Sequence, residues 1–127
     1  MKLRILGNSI RFRLGRSEVE SFGQRGVLEE TVRLGGSPAN ALKYSLKVVD
    51  GDLFTSEFVN GNVIVGIPRI LAESWVSSDA VTILGRKIFD EDSDLKILIE
   101  KDFVCLNAHN DEDQSDRCPH PKGPDAC

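Results

Sequence analysis

The dipeptide Asn60-Gly61 constrains this chain more than any other feature. Asn-Gly favours the left-handed backbone that a two-residue hairpin requires. Pairing across it sets Phe58 opposite Val63 and Phe54 opposite Ile67, so the register is self-consistent. Gly7-Asn8, between Leu3-Arg4-Ile5-Leu6 and Ser9-Ile10-Arg11-Phe12, is a second hairpin signal. Here Ile5 faces Ile10 and Leu3 faces Phe12, but Arg4 also faces Arg11, an unfavourable like-charge pair. One long strand with a glycine bulge is the alternative, because the apolar phase shifts from odd to even positions.

Further strands follow from alternation. Leu42, Tyr44, Leu46 and Val48 alternate with Lys43, Ser45 and Lys47. Leu28, Val32 and Leu34 predict a strand broken by Gly35-Gly36-Ser37-Pro38. Val81 to Leu84 and Lys87 to Phe89 predict another, interrupted at Gly85, and Leu95, Ile97 and Ile99 a last one running toward Phe103. Ser17-Glu18-Val19-Glu20 has the form of a capping box and opens a short helix carrying Val19 and Phe22, closed by Gly23 or Gly26. Pro68 opens a second helix, with Leu71 and Trp75 on one face. Trp75, Tyr44 and the phenylalanines are assigned to the core.

The expected fold class is therefore α+β: a mainly antiparallel sheet of about seven to eight strands, curled into a partial barrel or folded sandwich, with two short helices. Residues 1–106 form the sheet-rich body, and residues 107–127 an irregular surface tail of the same single domain. No internal repeat is apparent.

The net charge is −4, unevenly spread. Residues 1–50 carry nine basic and five acidic side chains, a balance of +4, and residues 51–127 carry seven and fifteen, a balance of −8. Attraction between the halves within one fold explains this, with head-to-tail attraction in a homo-oligomer as the alternative. An acidic whole disfavours nucleic acid and anionic membranes as partners. No apolar run approaches the ~20 residues that span a bilayer. The opening Met1 to Leu6 reaches Gly7-Asn8-Ser9 too soon for a signal peptide, so a cytoplasmic setting is expected, with reduced thiols.

Every cysteine and histidine lies in the last stretch: Cys105, His109, Cys118, His120 and Cys127, among Asp111, Glu112, Asp113, Asp116 and Asp125. Thiolate, imidazole and carboxylate are the ligands of transition metals, and four of the five suffice for tetrahedral zinc. The familiar pair of cysteines two to four residues apart is missing. A thiol switch or clasp joining Cys105 to Cys127, and a plain structural tail, are the competing readings. No phosphate-binding glycine loop, nucleophile elbow or HExxH motif is present, so the sequence leans away from an enzyme.

Basic residues recur at alternate strand positions: Arg4, Arg11 and Arg13, with Arg33, Lys43 and Lys47. They would suit a phosphorylated or carboxylated ligand, or simply a solvated face paired with Glu29 and Glu30.

The opening Lys2-Leu3-Arg4 … Gly7-Asn8-Ser9-Ile10-Arg11, with Ser17-Glu18-Val19, resembles a family of small uncharacterised bacterial proteins, a domain of unknown function. Glu100-Lys101-Asp102-Phe103-Val104-Cys105-Leu106, then Glu112-Asp113-Gln114-Ser115-Asp116 and a terminal cysteine, carry the same resemblance. It covers nearly the whole chain and implies no activity. It implies an aromatic residue where this chain has Cys118 and an asparagine in place of His120. Cys105, Cys127 and the carboxylates between them would then be the shared element.

Overall fold

A computed structural model describes residues 1–102 and Cys118. The chain runs β1 (Lys2–Leu6), β2 (Ser9–Leu14), α1 (Arg16–Arg25), β3 (Val27–Arg33) and β4 (Ala41–Val49). It continues β5 (Thr55–Val59), β6 (Asn62–Pro68), α2 (Arg69–Ser77), β7 (Thr82–Asp90) and β8 (Ser93–Lys101). The fold is α+β, as expected, with eight strands and two helices among the described residues. No helix among them is long and apolar enough to cross a membrane.

Both hairpins form in the expected register. Leu6 pairs with Ser9, Ile5 with Ile10, Arg4 with Arg11 and Leu3 with Phe12, which excludes the bulged single strand. Across the second turn Phe58 pairs with Val63, and Asn60 and Gly61 both have positive φ (52° and 78°), as a two-residue turn with this twist demands.

The strands form two four-stranded sheets, ordered β1-β2-β8-β7 and β3-β4-β6-β5, with no closed barrel. Each joins two antiparallel hairpins through one central parallel pair, β2 beside β8 and β4 beside β6. The sequence does not announce the parallel pairs, because their strands are brought together by tertiary packing rather than by a turn.

This topology contains a repeat that the sequence conceals. Strand, strand, helix, strand, strand occurs twice, as β1-β2-α1-β3-β4 and as β5-β6-α2-β7-β8. Each unit gives one hairpin to each sheet. The Asn8 carbonyl accepts the Lys96 N–H and the Gly61 carbonyl accepts the Lys43 N–H. Asn8 and Gly61 are 53 residues apart, and so are Lys43 and Lys96. At the same spacing Ile10, Phe12 and Leu14 match Val63, Val65 and Ile67, and Phe22 matches Trp75. All but Val63 are buried, and Val63 packs against the buried cluster. Outside α1 and α2, which share Arg16/Arg69, Glu20/Glu73 and Ser21/Ser74, the two copies have few residues in common.

One core serves both sheets and both helices. Phe12 of the first sheet and Tyr44 of the second meet with ring centroids 6.5 Å apart. On α2 the buried residues are Ala72 and Trp75, whereas Leu71 is 42% exposed, so the inward face is one residue round from the expected one. Phe58 and Phe89 are exposed and do not join the core. Gly15, not Ser17, is the N-cap of α1: the Glu18 carboxylate accepts the Gly15 N–H at 2.9 Å, so only the glutamate half of a capping box forms, two residues earlier than expected. Gly26 ends α1 at φ 73°. β7 runs through Gly85 without a break, its irregularity falling at Ile88/Asp90 instead. Gly85 matters for packing: a Cβ there would run into the Phe54 ring. β8 ends at Lys101.

The uneven charge is used within the fold. Lys2 pairs with Asp102 (3.1 Å), and Arg11 and Arg13 with Glu100 (3.6 and 3.4 Å), cations of the first half against anions of the second.

Candidate functional site

Alternation on β2 buries Ile10, Phe12 and Leu14, so Arg11 and Arg13 stand on the opposite, outer face of the first sheet. Arg4 pairs with Arg11 on β1, which places both guanidiniums on that face side by side. Lys2 pairs with Arg13 in the next row, and Lys96 of β8 lies beside Ser9. Glu100 is the central anion: its two carboxylate oxygens take Arg11 and Arg13 separately. Arg4 has no carboxylate partner among the described residues. The face is thus a cluster of cations in which Glu100 bridges Arg11 and Arg13 and Asp102 pairs with Lys2.

The six basic residues expected together are split. Lys43 and Lys47 lie on β4 of the second sheet, with Lys43 paired to Glu29 at 3.2 Å. Arg33 turns onto the carbonyls of Gly35 and Gly36. Arg4, Arg11 and Arg13 share the outer face of the first sheet, and Arg33, Lys43 and Lys47 that of the second.

A second polar cluster was not expected. The Met1 ammonium lies between Glu18 and Glu30, and the Tyr44 hydroxyl donates to the Met1 carbonyl at 3.1 Å. Burial, with the negative charges of Glu30 and Glu18, raises the Tyr44 pKa above its ordinary 10.0. The signal that could have found this cluster is Glu30 at an inward position of β3, opposite Tyr44.

The model of a family of unknown function, DUF7009, matches residues 1–122. The chain belongs to that family. No curated protein and no solved structure matches it. The DUF7009 match bears out the resemblance read from the opening and tail motifs at the level of the family. It takes in all eight strands and both helices and stops before Cys127.

Of the tail residues named as metal ligands, only Cys118 is described. It is 7% exposed within the hydrophobic cluster, and its N–H donates to the Asp102 carbonyl. Cys105, His109, His120 and Cys127 lie outside the described residues. Among the described residues no three metal-binding side chains come together.

Proposed function

We propose that the outer face of the first sheet binds a small oxyanion, a phosphate or carboxylate, through Arg4, Arg11 and Arg13, making this DUF7009 chain a ligand-binding module. The observation that carries the reading is the pairing of Arg4 with Arg11, where Glu100 satisfies Arg11 and no carboxylate among the described residues satisfies Arg4. Like charges directly opposite one another destabilise a sheet, and an anion between them relieves that cost. Guanidinium forks match the planar oxygens of carboxylate and phosphate.

The test is titration of the whole chain with inorganic phosphate and with citrate, followed by amide NMR. Saturable shifts centred on β1 and β2 are expected, weakened about tenfold by Arg4→Ser, since charge-assisted hydrogen bonds contribute ~1.5–3 kcal/mol. The same variant should gain ~0.2–1 kcal/mol of stability without ligand, because the like-charge pair is gone. No saturable shift with either anion sinks the reading.

A second reading rests on the tail. The Cys118 backbone bond to Asp102 ties together the ends of the segment that holds Cys105 and His109. Such closure lowers the entropic cost of gathering ligands. In this reading Cys105, His109, His120 and Cys127 bind zinc, or Cys105 and Cys127 form a thiol clasp. Elemental analysis with thiol titration separates them: one zinc per chain with protected thiols supports the metal, and freely titrating thiols without metal overturn both.

A further inference from the structure

The two halves differ at one position in a way that exposes a cavity. Val48 and Lys101 are equivalent, 53 residues apart. Each donates its N–H to the end of its helix-to-strand connection, Val48 to the Gly26 carbonyl (2.8 Å) and Lys101 to that of Val81 (3.1 Å). In the second half the Lys101 side chain closes the space beside its helix. Its ammonium lies 5.4 Å from the centre of the Trp75 ring and donates to the Ser78 carbonyl, at the C-terminus of α2, at 2.7 Å. The first half has the shorter Val48 instead. There a groove of about 490 Å³ remains between α1 and α2, within the ~300–1,000 Å³ range of small-molecule sites.

We propose that this groove binds a small alkylamine, which takes the place that Lys101 fills in the other half. Phe22, Val48, Ala72 and Val76 give the groove apolar walls for an alkyl chain. The C-terminus of α1 borders it, where the helix dipole favours a cation. Glu73 supplies a carboxylate. Two guanidiniums also line it. Arg69 is hydrogen-bonded to Asp50 (2.9 Å) and stands 3.9 Å from Glu73, beyond hydrogen-bond distance, and the exposed Arg25 is screened by solvent. The groove depends on a close helix crossing: a Cβ on Gly23 would stand 2.6 Å from Val76 Cγ1.

The probe is cadaverine, a five-carbon diamine that carries the four-methylene ammonium arm of lysine, with a second ammonium where the α-amino group would be. Titrated into the full chain and followed by amide NMR, it is expected to saturate, with shifts confined to the end of α1, Val48 and α2. Val48→Lys installs in the first half the residue that the second half uses. That variant is expected to fold and to abolish binding. Glu73→Gln, at an exposed position, should weaken binding about two- to fivefold, the size of an exposed ion pair. Absence of saturable binding overturns the proposal. So does binding that both variants leave unchanged, and if Val48→Lys does not fold, the Glu73→Gln result decides alone. Arg4→Ser separates this site from the sheet face, since it should leave cadaverine binding intact.

Discussion

At equivalent places in the two halves the chain carries Met1 and Phe54, each one residue before a hairpin. The Met1 ammonium rests between Glu18 and Glu30. The Phe54 ring rests on Gly85, which pairs with Ile97 as Glu30 pairs with Tyr44, 53 residues before Ile97. One half fills the position with an ion cluster and the other with an aromatic ring over a missing side chain. The same contrast recurs on the outer face of the sheets, where Arg4, Arg11 and Arg13 correspond to Glu57, Ile64 and Gly66. What the halves share is the pattern of apolar and turn positions that makes two sheets. The arginines that could hold an anion stand where the halves differ, whereas Glu73 of the groove stands where they agree.

The comparison breaks most visibly in the core. If the halves are equivalent packing units, Phe22→Ala and Trp75→Ala each cost about 3–5 kcal/mol, because both side chains are fully buried. Urea unfolding measures this, and a near-silent Phe22→Ala would show that the first half does not share the core as the second does. A smaller effect is expected at Gly85. Gly85→Val pushes the Phe54 ring aside and should cost about 1–3 kcal/mol, partly recovered by adding Phe54→Leu. No recovery would mean that Gly85 is needed for its backbone rather than for the ring.

The smallest effect sharpens the comparison at the Met1 cluster. Tyr44 is the only tyrosine, so absorbance near 295 nm reports it alone. Its folded pKa is raised, so its contribution to stability is fully present below the unfolded value near 10 and is lost as pH rises through the folded value. The expected outcome is a midpoint above 10.0 and an alkaline loss of stability that Tyr44→Phe removes. A midpoint at or below 10.0 would mean that neither burial nor the charges of Glu30 and Glu18 act on the hydroxyl as described.

Much of this architecture is legible in the amino-acid sequence, for local reasons. Asn60-Gly61 fixes one hairpin and its register, while Gly7-Asn8 allows a second hairpin, and with it the meeting of Arg4 and Arg11, alongside a bulged single strand that only the structure excludes. The inward face of α2 is misleading because Leu71 and Trp75 have ideal spacing, while the small Ala72 is what fits beneath the sheet. The grouping of Lys43 and Lys47 with the arginines fails because alternation shows which face of a strand is polar, not which sheet the strand joins. The repeat stays hidden because burial requires an apolar residue rather than a particular one, so Phe12 and Val65 are interchangeable in pattern. The groove is illegible for a related reason: Val48 reads as an ordinary strand residue until Lys101 shows what else can stand there.

The two sheets also differ in how they lie along the chain. The second is continuous, residues 27–68, whereas the first is made from both ends and pairs Ile10 with Ile97. During synthesis the second sheet can therefore assemble as soon as Pro68 has emerged. The β1–β2 ribbon must wait for the last strand, and a two-stranded ribbon alone is marginal in water. The exposed edge of β2 is then the segment most open to wrong pairing, until β8 arrives and closes the longest loop among the described strand pairs.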